Sequence, residues 1–263
     1  MKQVRLQKPL IHCITNPISI HDCANAVLAV GARPIMAEHP EEVAEITATS
    51  QALALNLGNI TDARMESMQI ALAEANAHGI PVILDLVGVG CSTLRLRFAR
   101  NLLKQFSFSI LKGNASELRA LAGVTQHSIG IDAGSKDQIS SENAAQLTPE
   151  LTKLSRDTST VLLATGANDL IWQNDHAWLG CNGVPMLSSI TGTGCILGVL
   201  TASFLACAAP LDAAKLSVSL LGIAGEKAET PKGTGTFATN LMDALSTLTP
   251  EDIEKSIQLE QIL

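Results

Sequence analysis

The feature that most constrains the fold is a regular alternation of short apolar runs with longer segments of helical periodicity. The runs occupy residues 10–14, 34–36, 52–57, 81–86, 108–111 and 161–164. Short runs made mostly of apolar residues are typical of strands that are buried on both faces of a sheet. Parallel strands need long crossover connections, which the helical segments supply. The sequence therefore predicts an α/β fold with a mostly parallel central sheet flanked by helices.

The remaining segments carry signals for helices, a hairpin and a loop. We expect helices at residues 64–77, 211–229 and 239–248, and an antiparallel hairpin of residues 170–172 and 177–179 at the sheet edge. Gly79 and Pro81 follow the first of these helices and favour its end before the next strand. Thr249 and Pro250 predict the start of a last helix. The polar segment 130–143 predicts a loop.

Composition favours one domain and narrows the possible functions. The 263 residues suit one large α/β domain spanning residues 1–263, because no linker or repeat divides them. Apolar residues make up 46% of the chain and aromatic residues only 3%, which suits helices packed on parallel strands. The net charge of -7 disfavours general binding to nucleic acid or to an anionic membrane.

The cysteines and apolar stretches indicate where the protein acts. The 6 cysteines form no C-x-x-C pair, so we expect neither a disulfide framework nor a zinc site. The first nine residues lack the apolar region of a secretory signal. The most apolar stretch, 195–209, is too short to span a bilayer. We therefore expect a cytoplasmic protein without a membrane partner.

The segment 189–197 carries the most specific chemical signal. Its glycines, Gly192 and Gly194, precede Cys195 at the start of a strongly apolar helix. Glycines let the backbone turn sharply and approach a ligand closely, and the helix N-terminus attracts anions. The segment therefore predicts an anion hole beside the reacting group.

Polar residues also follow four of the apolar runs, where ligands bind in open α/β sheets. The polar segments are 56–59, 85–90, 112–117 and 165–169. The chain has no G-x-x-x-x-G-K-[ST] motif, and Leu197 replaces the third glycine of G-x-G-x-x-G, which disfavours both P-loop and Rossmann sites. A kinase without a P-loop still needs anion donors, a cation and a magnesium anchor.

Several residues fit those roles, each with a structural alternative. Lys112 is a candidate cation, although lysine is ordinarily a solvated surface charge. Asp85 and Glu117 are candidate magnesium ligands, but Glu117 also follows Asn114 at the spacing of a capping box. Cys195 is a candidate base, because a helix N-terminus favours thiolate, or a small residue that lines the pocket.

Taken together, these motifs resemble the hydroxyethylthiazole kinase family, and the resemblance runs nearly end to end. It is carried by Thr15-Asn16, Ala24-Asn25, Pro34-Ile35-Met36-Ala37, Asn56-Leu57-Gly58, Asp85-x-Val87-Gly88-Val89-Gly90, Gly113-Asn114-x-x-Glu117, Thr165-Gly166 and Thr191-Gly192-Thr193-Gly194-Cys195. The resemblance implies a ribokinase-like three-layer fold and a homotrimer with sites at the subunit contacts. It also implies Mg²⁺-dependent transfer from ATP to the alcohol of 4-methyl-5-(2-hydroxyethyl)thiazole, in thiamine salvage.

The same resemblance implies roles for individual residues. The implied thiazole-binding residues are Met36, Asn25 and Gly192; the nucleotide-binding residues are Lys112, Thr165 and Asn114; the magnesium ligands are Asp85 and Glu117. Gly192 and Gly194 would form the anion hole. Cys195 would occupy the place of the aspartate base of related sugar kinases.

Departures from the family pattern leave two other functions open. Lys112 replaces the usual arginine, Leu86 a proline and Asn59 a threonine. Segments 21–23 and 233–237 also differ from their usual forms. One alternative is a ribokinase-like kinase of hydroxymethylpyrimidine or pyridoxal, although such relatives usually carry aspartate in place of Cys195. The other is a nucleotide-binding protein that has lost turnover.

Overall fold

The computed structural model describes residues 1–123 and 144–263, so the predicted loop at 130–143 lies outside the described residues. The helices, in chain order, are α1 (Lys2–Gln7), α2 (Ile20–Ala29), α3 (Val43–Thr49), α4 (Asp62–Ala77), α5 (Thr93–Gln105), α6 (Ala115–Ala122), α7 (Ala144–Thr158), α8 (Thr193–Leu205), α9 (Pro210–Ala228), α10 (Thr234–Thr247) and α11 (Pro250–Ser256). The strands are β1 (Leu10–Ile14), β2 (Arg33–Ile35), β3 (Ala52–Asn56), β4 (Val82–Asp85), β5 (Ile110–Asn114), β6 (Val161–Thr165), β7 (Asp169–Gln173), β8 (His176–Gly180) and β9 (Leu259–Gln261). A 3-10 helix, Pro185–Ser189, precedes α8.

The strands form one sheet in the order β2-β1-β3-β4-β5-β6-β7-β8-β9. Strands β1 to β6 pair in parallel, and β7 to β9 continue the sheet in antiparallel pairs. The predicted mostly parallel sheet and the hairpin at β7–β8 are therefore confirmed, but the hairpin does not form the sheet edge, because β9 pairs outside β8. Because β1 pairs with β2 on one side and β3 on the other, the chain order reverses there, and a crevice forms beyond the carboxyl ends of these strands.

Helices cover both faces of the sheet, which explains why the parallel strands lack polar alternation. Along β3, Ala52 and Ala54 belong to a core packed by α2, α8, α9 and α10. Leu53 and Leu55 point to the opposite face and belong to a second core, packed by α4, α5, α6 and α7. Each residue of β3 is thus buried, and its apolar residues pack against one of two helical layers.

Two elements differ from the sequence-based expectation. The helix expected at 239–248 begins earlier, at Thr234, because Gly233 with φ 110° provides its N-cap and the exposed Thr234 and Gly235 begin the first turn. The three-residue β9 pairs with β8 but carries no apolar run, since two of its residues are exposed at the sheet edge. The last helix begins as expected, with Thr249 and Asp252 forming a capping box.

Candidate active site

The candidate site lies where the carboxyl ends of β1, β3 and β4 meet the N-terminus of α8. A narrow pocket opens there, lined by Thr15, Asn56, Asp85, Cys195 and Gly198 among other residues. The chain order reverses at β1, so this is the position where open α/β sheets bind ligands. The fold thus brings together residues that are separated by more than a hundred positions in the sequence.

A buried ion pair forms the electrostatic centre of the site. Lys112 Nζ donates to Asp85 Oδ2 at 2.9 Å, and the two side chains are 4% and 3% exposed. Burial raises the pKa of Asp85 against the lowering effect of Lys112 and Asn56. Burial alone lowers the pKa of Lys112, but Asp85 raises it above its ordinary value, so the ammonium stays charged. A charge that water does not screen is available for phosphate chemistry at this point.

One oxygen of Asp85 differs from the other. Oδ2 accepts from Lys112 at 2.9 Å and from Asn56 Nδ2 at 3.0 Å. Oδ1 is buried and has no hydrogen-bond partner in the part of the chain that the structure describes. A buried carboxylate oxygen without a donor is costly, and sites that retain one commonly have a ligand to satisfy it.

Two asparagine amides connect this centre with Cys195. Asn16 follows β1 and donates its Nδ2 to Cys195 Sγ at 3.0 Å, and Asn56 ends β3 and donates to the same sulfur at 3.3 Å. Sequence reasoning did not assign either asparagine a role in catalysis. Their signal was their position, since each is an amide that directly follows or ends an apolar strand run.

The start of α8 approaches the ion pair closely, and its glycines make that approach possible. Gly192 is the N-cap with φ 90°, and a Cβ there would lie 2.9 Å from Ser19 Cβ. A Cβ on Gly194 would lie 3.3 Å from Lys112 Nζ. The first N–H groups of a helix have no acceptor within it. These donors therefore lie beside a lysine ammonium, an arrangement suited to an anion.

Glu117 forms a capping box with Asn114, which was the structural alternative to its predicted magnesium role. Its Oε2 accepts from Asn114 N at 2.8 Å, and Asn114 Oδ1 accepts from Glu117 N at 2.8 Å. Its Oε1 accepts from Gly88 N at 2.7 Å. Burial raises the pKa of Glu117 to about 7, assisted by the Asp85 charge and opposed by both backbone donors. Both oxygens thus accept backbone N–H groups, and the predicted magnesium role stays a prediction.

Thr165 and Asp169 lie at the next strand ends along the sheet. Thr165 ends β6, is half-buried, and donates from Oγ1 to the Gly113 carbonyl at 3.4 Å. Asp169 begins β7 and accepts from Gly166 N at 3.1 Å. Burial raises the pKa of Asp169 to about 6, opposed by that N–H and by the Lys112 charge. The sequence signal for Asp169 was its place in the polar segment after β6.

Two of the predicted thiazole-binding residues, Met36 and Asn25, lie after β2 and on α2. Met36 follows β2, is half-buried and packs against the core that includes α8. Asn25 lies on α2, where its Nδ2 is 3.3 Å from both ring nitrogens of the exposed His21. The thiazole-binding role of Met36 and Asn25 therefore stays a prediction, because their contacts are with the core and with His21.

Buried side chains hold the segment that follows Met36. His12 on β1 is 0% exposed and lies with Nε2 2.9 Å from the Ala37 carbonyl. Ser67 on α4 donates to the Glu38 carbonyl at 2.7 Å. Burial lowers the pKa of His12, which keeps the ring neutral at this position. The segment after Met36 is thus fixed by side chains from two different elements.

Arg64 fixes the polar turn after β3. It donates to the carbonyl oxygens of Asn56 at 3.2 Å, Gly58 at 2.8 Å and Asn59 at 3.0 Å. This arginine is 4% exposed, and sequence reasoning treated it only as the start of a helix. The clamp matters because Asn56 contacts both Asp85 and Cys195.

Two absences among the described residues concern metal binding and membrane insertion. The described residues contain no group of three or more His, Cys, Asp or Glu side chains that would hold a metal ion by themselves. Among the helices that the structure describes, none is long and apolar enough to cross a membrane.

Comparison with known proteins identifies relatives along the whole chain. Residues 1–251 match the model of the Hydroxyethylthiazole kinase family. The chain is 46% identical to hydroxyethylthiazole kinase 2 of Clostridium botulinum over 258 residues, which cover 98% of this chain and 97% of that relative. A solved structure of hydroxyethylthiazole kinase protein from Pyrococcus horikoshii OT3 matches with a TM-score of 0.89 and 32% identity, covering 100% of this chain and 97% of that chain.

A more distant structure tests the fold alone. A ribokinase-like superfamily protein from Enterococcus faecalis V583 matches with a TM-score of 0.64 at 13% identity, covering 94% of this chain and 87% of that chain. At that identity the likeness is one of architecture. The expected ribokinase-like fold is thereby confirmed.

Proposed function

Because this chain belongs to the hydroxyethylthiazole kinase family, we propose that it transfers the γ-phosphoryl group of ATP to the hydroxyl of 4-methyl-5-(2-hydroxyethyl)thiazole. The reaction would serve thiamine salvage. The observation that carries the proposal is the meeting of the α8 N-terminus, the Lys112–Asp85 pair and Cys195 at one pocket. Phosphoryl transfer depends mainly on positioning and on the stabilisation of charge, which these groups supply.

The charge on the transferred phosphoryl group would be balanced at the start of α8. The backbone N–H groups of Gly194 and Cys195 provide donors, and the positive end of the helix dipole adds to them. Lys112 Nζ lies next to this turn, since a Cβ placed on Gly194 would be 3.3 Å from that nitrogen. Lysine acts there as a compact point charge, unlike the bidentate arginine more usual in the family.

Magnesium would be held by Asp85, with Glu117 nearby. The fit rests on Asp85 Oδ1, a buried carboxylate oxygen without a protein donor among the described residues. Mg²⁺ takes oxygen ligands and usually keeps several waters, so one or two carboxylates suffice. When bound, the ion would neutralise phosphate charge. Glu117 would contribute mainly charge, because both of its oxygens accept backbone N–H groups.

The nucleotide would extend from this centre toward the ends of β5 and β6. Asn114 and Thr165 lie at those ends and are half-buried. They pair in register across the two parallel strands, so their side chains border the same edge of the sheet. We propose that they contact ATP together with Lys112.

The thiazole ring would bind between Met36, Asn25 and Gly192. Met36 offers a polarizable thioether to a sulfur-containing ring. Two large apolar side chains at the ends of α2, Ile18 and Leu28, are 63% and 56% exposed. We propose that a second copy of the chain covers this side in a homotrimer, because exposed apolar surface is often buried at an interface.

Two further proposals concern the whole chain. We propose that residues 1–263 form a single catalytic domain, supported by the sheet that runs from β2 near the N-terminus to β9 near the C-terminus. We also propose a cytoplasmic location, supported by the free state of Cys13, Cys23, Cys91, Cys181, Cys195 and Cys207.

The test is an assay of the purified chain with Mg-ATP and, separately, hydroxyethylthiazole, hydroxymethylpyrimidine and pyridoxal. ADP and the phosphorylated alcohol are measured by mass. We expect phosphorylation of the thiazole alcohol. Preference for another alcohol would overturn the substrate assignment while leaving the kinase reaction. ATP binding without turnover of any alcohol would overturn the proposed catalysis.

A further inference from the structure

The side-chain amides of Asn16 and Asn56, which both contact Cys195, have only one possible orientation. Asn16 Oδ1 accepts from the backbone N–H groups of Ile18 at 3.1 Å and Ser19 at 3.2 Å. Asn56 Oδ1 accepts from Gly58 N at 2.8 Å. Exchanging oxygen and nitrogen in either amide would place an NH₂ group against a backbone N–H. The Nδ2 atom of each asparagine therefore has to face the sulfur.

The sulfur of Cys195 consequently meets two donors at 3.0 and 3.3 Å. Amide NH₂ groups cannot accept a proton from a thiol, so the sulfur is the acceptor in both contacts. A thiol is a weak acceptor, whereas a thiolate is a strong one. The N-terminus of α8, which carries Cys195, lies beside the Lys112 ammonium.

We propose that Asn16 and Asn56 are positioning residues that hold the Cys195 sulfur as a hydrogen-bond acceptor, so that it receives the proton of the substrate hydroxyl. This inference rests on the proposed kinase activity. It selects the base role of Cys195 over simple lining of the pocket. A residue that merely lined the pocket would not need two buried amides whose oxygens are both engaged by the backbone.

The proton transfer balances within the reaction. The O–H bond of the alcohol breaks, an S–H bond forms on the Cys195 thiolate, and the electron pair stays on the alcohol oxygen. That oxygen bonds to the γ-phosphorus while the bond from phosphorus to the ADP oxygen breaks, and its electron pair leaves with ADP. Release of the proton from Cys195 to solvent restores the thiolate.

Asn56 has a second contact that distinguishes it from Asn16. Its Nδ2 also donates to Asp85 Oδ2 at 3.0 Å, so replacing Asn56 disturbs the ion pair as well. Asn16 Nδ2 contacts Cys195 and Asn56 Oδ1, the latter at 3.3 Å. Replacing Asn16 therefore removes a donor to the sulfur while leaving both donors to Asp85 Oδ2, Lys112 and Asn56, in place.

The test is a double-mutant cycle between Asn16 and Cys195. Asn16→Asp keeps the oxygen that accepts from Ile18 and Ser19 but places a second oxygen against the sulfur. Asn16→Ser removes the donor without adding charge, and serine still serves as a turn acceptor. Each is made alone and with Cys195→Ala, and kcat and KM for hydroxyethylthiazole are measured.

We expect either Asn16 variant alone to lower kcat about 10- to 100-fold, as for a hydrogen bond to a charged group, with KM changed less than about threefold. In the Cys195→Ala background the same change should alter kcat less than about twofold. Equal losses in both backgrounds, or a loss confined to KM, would overturn the inference.

Two controls separate this inference from folding and from the proposed function. Asn76→Asp replaces an asparagine whose Oδ1 accepts from Ser107 N at 2.7 Å, far along α4, and should leave kcat unchanged. If Asn16→Asp does not fold, as judged by circular dichroism, Asn16→Ser decides the question. Inactive wild type would refute the proposed function, whereas active wild type with additive losses would refute only the amide role.

Discussion

The buried centre around Cys195 and the surface around α2 contribute to the same site in opposite ways. At the centre, Asp85 is 2% exposed and Lys112 is 3% exposed. On the α2 side, the His21 side chain is 85% exposed and Ile18 is 63% exposed. The proposed phosphate-binding part is thus buried within one chain, whereas the proposed substrate-binding part is exposed in one chain.

This difference shows which properties of the site are determined by a single chain. Groups at the centre have fixed partners, so their charge and orientation follow from the fold. Exposed residues on the α2 side, such as His21 and Ile18, are not held by surrounding side chains in this way. The reaction class is therefore more strongly constrained than the choice of alcohol.

The largest expected effect comes from breaking the buried ion pair. Lys112→Met leaves the Asp85 carboxylate buried without its cation and should lower the free energy of unfolding by about 3–5 kcal/mol. Kinase activity should also be lost. Lys104→Met, at an exposed position on α5, is the matched control and should change little. Urea unfolding measures both, and equal stability of the two variants would contradict the role of the pair.

The next effect is a dependence of stability on pH. Asp169 has a pKa of about 6 in the folded chain and 3.8 ordinarily, so the folded state holds its proton more tightly. Because folding then takes up a proton between about pH 4 and 6, the unfolding free energy falls as pH rises through this window, by up to about 3 kcal/mol. Below both pKa values the contribution is fully present.

Asp169→Asn isolates the contribution of Asp169 to this pH dependence. The amide oxygen of the asparagine still accepts from Gly166 N, and the amide does not titrate. The difference in unfolding free energy between pH 4 and 6.5 is measured in urea for both proteins. We expect the wild type to lose more stability over this interval. Parallel pH curves would show that Asp169 is not unusually basic.

A smaller effect is expected from strain at the anion hole. Gly192→Ala forces alanine into φ 90° and brings its Cβ to 2.9 Å from Ser19 Cβ. Gly79→Ala is the control, since its φ is also positive, at 65°, but nothing lies within 4 Å. Each left-handed residue should cost about 1–2 kcal/mol, whereas only Gly192→Ala should lower kcat, by about 100-fold. Full activity of Gly192→Ala would contradict the proposed anion hole.

The smallest effect on stability is expected on the α2 side. Leu28→Asp changes a side chain that is 56% exposed, so the free energy of unfolding of one chain should change by less than about 0.5 kcal/mol. Association should nevertheless weaken. Leu6→Asp, on α1 and 79% exposed, is the control. Sedimentation velocity would show a trimer for Leu6→Asp and smaller species for Leu28→Asp; identical profiles would exclude α2 from the interface.

The sequence predicted the parallel sheet well because buried strands leave a local signal. All six apolar runs became strands β1 to β6, since helices on both faces favour mostly apolar residues along each strand. The hairpin of β7 and β8 was predicted from the turn-like residues between the two strands. In contrast, β9 has an exposed Glu260 and no apolar run, so its pairing depends on β8 rather than on its own residues.

The candidate site was predictable in membership but not in its contacts. Asp85, Lys112 and Cys195 were each identified from strand ends or from the glycine turn. The ion pair between Asp85 and Lys112 depends on the register of β4 against β5, which sequence periodicity does not specify. The amides of Asn16 and Asn56 were passed over because asparagine does not titrate and has no spacing signature.

The two edges of the sheet determine how copies of this chain are able to associate. At one edge, β2 contains Pro34, which has no N–H to offer another strand. At the other edge, the short β9 exposes the charged Glu260 and covers the ladder of β8. Short, charged or proline-containing edges resist pairing with strands of other molecules. Sheet-to-sheet aggregation is thereby disfavoured, and self-association is left to helical surfaces that are able to close into a ring of defined size.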